Sequence, residues 1–539
     1  MHIIDQSIYK ETPKEAVSWK ILTFAIILSF SGALHGFNTS NISGVLAMAS
    51  FKSHFELKGL STQAAANWTG WITSVLLLGS CCGSLICSPV TDRLGRRWSL
   101  ALFTAIFVVS AILMSANPGG SGGRAEFLVG RILSGVGSGA ASVIGTGYMA
   151  EISPKAIRGG LTALYNANTM LSVGLGYWIN YGSLQHIKTG TNEQWQVPMG
   201  VQALPGVVLL VGLLFIPESP RWLGNRGKLA EAKASLTRLR SLPGDHPFVQ
   251  QEFSEICSAI EEEQAVRPGV RGLLSELVSP DIRKRLLMVM IIQVGFQFSG
   301  GNIITYYNTS ILTSIGLTSS STNYLFSGIY GIVKFVTVVL YCLFVVDRLG
   351  RRTGLFAGSA LIIVSLTYLT VYLAVANPTQ NAAHGTGAAG WVAVVFIYIF
   401  AIGYAISWGT IPWIINAEVF PNRVRSVCMS ICITWTWLVN FALTRAQPNM
   451  VITMHAWGPF LLFLCVTTVL TGYCFFAYPE TRKLSMERMD ELFTMPWYRV
   501  GRASVRLIAA EAALTDGHGE KGFEGALDEN EKTVAEPKN

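Results

Sequence analysis

Long, almost uninterrupted apolar stretches decide what this chain can become. Residues 21–34, 204–216, 331–346 and 457–478 are the clearest of a series of such runs, and about twenty apolar residues in a helix cross the roughly 30 Å hydrocarbon core of a bilayer. Lipid offers no hydrogen bonds to open backbone, so each run must satisfy its own N–H and C=O groups and is expected to be helical. Composition agrees. Of 539 residues 50% are hydrophobic and only 13% charged, about half the charged share of a soluble domain, which excludes a water-soluble globule. The expectation is an all-α membrane protein of about twelve transmembrane helices.

The net charge of +8 would suggest a nucleic-acid partner in a soluble protein, but its distribution excludes that reading. Arg93, Arg96 and Arg97, the arginines within residues 221–240 and 267–285, and Arg348, Arg351 and Arg352 fall in every second loop between apolar runs. Lys and Arg concentrate in cytoplasmic loops, so these loops, and both termini if the number of spans is even, are expected in the cytoplasm. The nine cysteines lie mostly inside apolar runs, without metal-like spacing, and read as small core filler rather than a disulfide frame or metal site. No phosphate loop, ligand set or nucleophile constellation is present, so neither an enzyme nor a resident cofactor is expected.

The chain is also duplicated. Asp92-Arg93-Leu94-Gly95-Arg96-Arg97 recurs as Asp347-Arg348-Leu349-Gly350-Arg351-Arg352; Ala150-Glu151-Ile152-Ser153-Pro154 with Arg158 is echoed by Ala417-Glu418-Val419-Phe420-Pro421 with Arg425; and Pro217-Glu218-Ser219-Pro220-Arg221 by Pro479-Glu480-Thr481-Arg482. Three motifs in one order imply two homologous six-helix halves, the plan of a carrier that rocks one half against the other about a midplane site. The expected boundaries are a cytoplasmic N-terminus at 1–19, bundles at 20–222 and 285–482, a cytoplasmic linker of short amphipathic helices at 223–284, and a largely disordered cytoplasmic tail at 483–539. The repeated arginines alone would serve as topology anchors; the repeated Asp, Gly and Glu point further, to ion pairs among Asp92, Arg96, Arg97, Glu151, Arg158, Glu218, Arg221, Asp347, Arg351, Arg352, Glu418, Arg425, Glu480 and Arg482 that hold the two halves together in one state and break in the other.

With GRILSGVGSG from Gly130, YMAEISPKAIRGG from Tyr148, FQFSGGNIITYY from Phe296 and IPWIINAEVFP from Ile411 added to these motifs, the chain resembles the sugar porter family of the major facilitator superfamily from about residue 19 to 492. The opening ETPKEAVSWK, Gly331-Ile332-Val333-Lys334, residues 408–420 and Pro496-Trp497-Tyr498 resemble its fungal quinate-permease branch more than the glucose carriers. The resemblance implies the major facilitator fold, two pseudo-symmetric bundles of six helices each, and a site in which Gln297 and Asn302 of the seventh helix, with Gln293 one turn earlier, meet substrate hydroxyls. Trp413, just after Pro412, would cover the C–H surface of the substrate. Amides suit polyols because each both donates and accepts, and an indole face suits apolar ring edges; glue between helices is the alternative role for the amides. Departures matter as much. Asn166 replaces a longer Gln, Phe296 replaces a Gln, Ala405 stands where some members carry an acid, and Thr436, near Asn440, fills a polar position of the eleventh helix. Fewer hydrogen-bonding groups remain than in a glucose carrier.

Proton-driven members pair an Asp of the first helix with the arginine that Arg131 matches, and this chain has Asn38 there, which cannot take up a proton. His35, on the same helix face, either titrates in its stead or is a neutral bundle histidine. Lys334 lies inside the apolar run 331–346; a cation at that depth costs about 3 kcal/mol on insertion scales and needs a cavity, a partner or a route to the interface. No Asp or Glu occurs in the apolar cores as its partner, which favours an anionic cargo. The sequence thus predicts a monomeric plasma-membrane carrier for a hexose, pentose, galacturonate or quinate, with protons as a further partner; a nutrient sensor and an efflux carrier are the alternatives, and the short tail without repeats argues against the sensor.

Overall fold

The structure, a computed structural model, describes residues 13, 18–266, 270–345, 350–378, 387–421, 424–481 and 486–515. Twelve long helical segments run through it: α1 (Trp19–Ala47), α2 (Thr62–Leu94), α3 (Arg96–Ser115), α4 (Gly120–Ile152), α5 (Arg158–His186), α6 (Glu193–Leu213), α7 (Pro280–Tyr306), α8 (Ser320–Leu340), α9 (Arg351–Ala376), α10 (Ala388–Asn416), α11 (Arg425–Thr453) and α12 (Gly458–Ala477). Eleven are long and apolar enough to cross a membrane. The exception, α5, has 29 residues and buries Thr169, Ser172, Asn180 and Ser183 inside the protein, so its polarity faces neighbours rather than lipid. Within the first half α1 packs on α5, and α4 on α2 and α3; within the second, α9 packs on α10 and α12, and α7 on α11.

Two helices of the second half are broken. α7 is interrupted at Ser299 and Gly300 and α10 at residues 407–410. Backbone freed at such breaks is tolerated at membrane depth only where protein or a polar cavity receives it. Here Thr410 Oγ1 donates to Ala405 O at 2.8 Å and Ser407 Oγ to Gly403 O at 2.6 Å.

The duplicated motifs build the same corner twice. α3 begins at Arg96 behind Gly95, whose φ is +89°, and α9 begins at Arg351 behind Gly350, at φ +82°. The Glu218 carboxylate accepts the N–H of Arg96 at 2.9 Å and of Arg97 at 3.2 Å; that of Glu480 accepts Arg351 and Arg352, both at 3.0 Å. Each glutamate therefore satisfies the open amides at a helix N-terminus and meets the positive end of its dipole. The arginines return the service: Arg97 donates to Leu214 O at 3.0 Å and Arg352 to Tyr478 O at 2.9 Å, the open carbonyls where α6 and α12 end. Arg96 pairs with Glu151 at 2.9 Å and Arg351 with Glu418 at 3.4 Å, and the Ser219 and Thr481 hydroxyls close the same two carboxylates. Burial pushes the Glu218 carboxyl above its usual range, and the donated N–H groups and the Arg96 charge oppose that shift.

The ion pairs described at these corners, Arg96 with Glu151 and Arg351 with Glu418, lie within each half in this state. Asp92 contributes its carbonyl, to Trp222 Nε1 and Arg226 Nη2; Arg425 donates to Phe420 O at 3.1 Å; Arg158 opens α5, and Arg221 lies in the short helix Pro220–Asn225. Asp347 and Arg482 fall outside the described residues. The physical reason is local: helix ends have open groups a few ångströms away, and these capture the charges first.

The linker holds the helices Leu229–Arg240, Pro247–Val266 and Val270–Val278. Arg240 fastens it to the first half, donating to Ile152 O at 2.7 Å while pairing with Glu252 at 2.6 Å. The tail departs from expectation, being helical over Met486–Thr494 and Trp497–Thr515. Val500, Gly501 and Ser504 are buried at helical spacing, Ser504 Oγ accepts the Glu480 N–H at 2.8 Å, and Trp497 stacks on Tyr473. A single apolar stripe too sparse to register as composition is enough once α12 offers a partner surface.

Among the described residues the hydrogen bonds between the halves fall in one part of their length. Gly174 of α5 abuts Gly331 of α8 at mid-helix; beyond it, towards the end opposite the arginine-rich loops, Ser43 bonds Thr309, Tyr324 OH donates to Gly44 O and Asn67 accepts from Arg445 and Asn449. One apolar core runs across both halves there, joining Ile42, Phe51 and Trp195 to Ile303, Ile311 and Tyr324. At the arginine-rich end the first half keeps a separate core of its own, from Phe24 and Leu28 to Tyr148 and Leu213. The interface is thus sealed at one end.

The corner geometry sets a test. A Cβ on Gly95 would lie 2.4 Å from Glu218 Oε2 and one on Gly350 2.5 Å from Glu480 Oε2, and a positive φ adds about 1–3 kcal/mol of strain for an L side chain. Gly95→Ala and Gly350→Ala should each lower the melting temperature of detergent-solubilised protein by several degrees, on the order of 2 °C per kcal/mol for a chain this large. Gly147→Ala, with nothing within 4 Å, should leave it unchanged; equal melting of all three would refute the corner.

Candidate substrate site

The breaks in α7 and α10 face one another and gather the polar residues of the second half. Gln297, buried at the end of the first segment of α7, donates to Thr436 O of α11 at 3.3 Å and accepts from Asn302 Nδ2 at 2.9 Å. Asn302 Oδ1 accepts from Tyr404 OH of α10 at 3.3 Å. Phe296 stacks on Tyr404 at 6.1 Å and meets Trp413 edge-on at 6.0 Å. Gln293 donates to Pro412 O at 3.2 Å, and its Oε1 is buried without a partner. Trp413 is 40% exposed although Phe296 and Gln297 beside it are at most 6% exposed. The cluster therefore offers an indole face, unsatisfied amide capacity and an aromatic wall together, the surfaces a polyol ring needs.

Lys334 adds charge. It is 2% exposed, donates to Thr305 Oγ1 at 3.0 Å, and its ammonium sits 5.6 and 5.3 Å from the ring centroids of Tyr330 and Tyr404. The arrangement is a hydroxyl and two aromatic faces in place of a counter-ion, with no carboxylate against the ammonium among the described residues. Thr305 is held in turn: its hydroxyl donates to Gly301 O and faces Tyr330 OH, and its carbonyl accepts from Tyr177 OH of α5. Since Tyr404 touches both Asn302 and Lys334, the amide cluster and the cation share one wall.

The first half contributes less. Asn166 is half-buried on α5, and no hydrogen bond joins it to the cluster among the described residues. His35 lies edge-on to Trp437 of α11 at 5.3 Å, at the boundary between the halves. Asn38 is fully buried; its amide donates to Ser134 Oγ at 2.7 Å and its oxygen accepts from Arg131 Nη1 at 3.3 Å. Arg131, also fully buried, donates to Ile72 O at 3.1 Å and leaves Nη2 without a partner. The expected pairing of positions 38 and 131 is present, but as a guanidinium on an amide.

Several residues of the site escaped the sequence. Tyr404 is adjacent to Ala405 and Tyr330 is one turn before Lys334, yet nothing in an isolated tyrosine within an apolar run marks it as a wall. Thr305 lay inside the motif from Phe296 without any sign that it would hold a lysine.

Comparison with known proteins fits this geometry. The sequence pattern of the family described as "Sugar (and other) transporter" matches residues 24–493. The chain is 32% identical over 514 residues to a probable quinate permease of Aspergillus niger, covering 94% of each chain, and 33% identical over 489 residues to a quinate permease of Neurospora terricola, covering 90% of each. Among solved structures, the partially occluded inward-open xylose transporter XylE of E. coli superposes with a TM-score of 0.72 at 24% identity, covering 87% of this chain and 100% of that one. A second XylE structure, the proton:xylose symporter bound to 6-bromo-6-deoxy-D-glucose, gives 0.71 at 24%, over 88% and 99%. These structures share the twelve-helix major facilitator fold. By its sequence the chain belongs to the sugar transporter family of that superfamily, whose members are membrane carriers and not enzymes.

Proposed function

We propose that this carrier moves a polyhydroxylated carboxylate, a quinate- or sugar-acid-like anion, across the plasma membrane by alternating access. The observation that carries the reading is Lys334: buried, held by one hydroxyl and two aromatic rings, and next to an amide cluster with spare capacity. A buried ammonium without a carboxylate is costly, and a substrate carboxylate would relieve that cost only while bound. Gln297, Asn302 and Gln293 would meet the hydroxyls, Trp413 and Phe296 the ring, Thr436 would hold Gln297, and Asn166 would close the site from the first half as the halves approach. The quinate permeases among the relatives support the same class of cargo.

The sealed end lies opposite the arginine-rich loops, which positive-inside topology places in the cytoplasm. On this reading the structure is the inward-facing state. With an amide at position 38 the paired carboxylate of proton-driven relatives is gone, so transport is uniport-like unless His35 carries a proton. In cells in unbuffered medium, substrate should cause little alkalinisation, and any that occurs should vanish in His35→Ala; alkalinisation surviving that change would assign the proton to another group.

Two uptake experiments in a carrier-deficient fungal host test the site. For Lys334→Gln, transport of quinate should fall at least tenfold, an ammonium–carboxylate contact being worth about 1.5–3 kcal/mol, while transport of neutral methyl quinate is retained; equal loss of both, or loss of neither, defeats the anionic reading. Gln297→Ala and Trp413→Ala should each raise KM about tenfold at unchanged surface amount. Wild-type KM in both would remove these residues from the site.

A further inference from the structure

Arg445 stands on α11 at the sealed end of the seam, away from the central site. Its Nη2 donates across the half–half boundary to Asn67 Oδ1 of α2 at 3.2 Å, and its guanidinium lies 4.7 Å from the Trp71 ring centroid. Asn449 Nδ2 donates to the same oxygen at 2.9 Å, and Gln63 Nε2 donates to Asn449 Oδ1 at 2.8 Å. Every side-chain acceptor in this ladder is a neutral amide, so the Arg445 charge is hydrogen-bonded but not neutralised. The helices touch closely: a Cβ on Gly70 would lie 2.8 Å from the Arg445 carbonyl oxygen.

The same stretch of α11 is built to give way. Pro448, inside the helix, has no N–H for the carbonyl of Thr444, and Tyr307 OH takes that carbonyl instead at 2.9 Å. A helix bends most readily where its ladder is interrupted. Beside the break lies a cleft of about 280 Å³ lined by Thr69, Ser310 and Gln447, with Gln447 Oε1 buried and unpartnered. The seam is therefore closed by contacts that a small bend of α11 would undo.

We propose that Arg445 is a specificity-determining residue with two alternating partners: Asn67 when the outer end is sealed, and the carboxylate of an arriving substrate when it is open. An amide acceptor makes a latch that breaks at modest cost, whereas a carboxylate on α2 would lock it. Once α2 and α11 part, the guanidinium loses Asn67 and Trp71 together and is left facing the vestibule, where it attracts anions and can grip a carboxylate with two parallel N–H donors. A bound anion competes with Asn67 and so favours the open outer end, because a ligand shifts an equilibrium by its preference for one state. This capture role rests on the anionic cargo proposed above; the latch role does not.

Zero-trans uptake and efflux of quinate and methyl quinate, at measured surface amounts, separate the roles. In Arg445→Gln the uptake KM for quinate should rise about tenfold, the scale of one lost charged hydrogen bond, with the KM for the ester and the efflux KM for quinate unchanged, and Arg445→Lys should recover most of the effect. In Asn67→Asp, which places an ion pair in the latch, the maximal uptake rate of the ester should fall about tenfold. An unchanged quinate KM in Arg445→Gln, or an equal rise for the ester, overturns the capture role, and an unchanged ester rate in Asn67→Asp overturns the latch. Should the unmodified protein carry ester and anion alike, the anionic reading fails and capture falls with it, while the Asn67→Asp result on the ester still decides the latch.

Discussion

The reciprocal capping at the two arginine-rich corners is the interaction on which the rest of the architecture depends. Twelve helices packed in lipid gain little from the hydrophobic effect among themselves, since acyl chains are as apolar as leucine; their open ends are where specific energy is available. Glu218 closes the start of α3 while Arg97 closes the end of α6, and Glu480 and Arg352 do the same for α9 and α12. Each carboxylate at a helix N-terminus contributes up to about 2 kcal/mol in a partly buried setting. Because each corner ties helices that are distant in sequence, it makes each half a unit able to move as one body. Rigid halves need a seam that is not rigid, and the described seam is accordingly made of glycine contacts, apolar packing and hydrogen bonds to neutral acceptors.

Within the second half, the broken helices turn backbone geometry into a site. An unbroken α7 would place Gln297 and Asn302, five residues apart, more than a turn from one another; the interruption at Ser299 and Gly300 lets Asn302 Nδ2 reach Gln297 Oε1 at 2.9 Å. The break in α10 likewise leaves both Tyr404 and Trp413 against Phe296, one stacked and one edge-on. The price is backbone groups that need local partners, and hydroxyls of Ser407 and Thr410 provide them.

Much of this was legible in the sequence, and the exceptions have a common cause. Apolar run length gave the helices, except that α5 needed the duplication to be counted, because its asparagines, serines and threonines, Asn180, Ser172, Ser183 and Thr169 of them buried, dilute its hydropathy. Duplicated motifs identified the residues of the corners but not their partners: from spacing alone Glu218 reads as one charge among many, and only the fold brings it onto the amides of α3, 121 residues away in the case of Arg97. Gln297, Asn302 and Trp413 were named through resemblance and Lys334 through its charge inside an apolar run, whereas Tyr404, which touches both Asn302 and Lys334, and Tyr330 beside the ammonium carry no local mark. The helical tail was missed for the opposite reason. Its stripe of Val500, Gly501 and Ser504 has meaning only against the surface of α12.

Electrostatics joins these observations. Lys334 and Arg131 are buried near the middle of the molecule and Arg445 lies at the sealed end, each held by hydroxyls, amides, carbonyls or aromatic faces rather than by an acid. In a medium of low dielectric such charges act over longer distances than in water, since nothing screens them. Asn38 is the instructive position: a carboxylate there would neutralise Arg131 and lower the potential along the whole seam, and the amide keeps the hydrogen bond while leaving the charge. Retaining the geometry of a charge pair while removing its negative member leaves an interior whose remaining demand is for an anion. On the proposed function, a neutral sugar would satisfy the amides of the central cluster but not that demand, whereas a hydroxylated carboxylate would satisfy both, and its arrival and departure would change the potential that holds the two halves in either state.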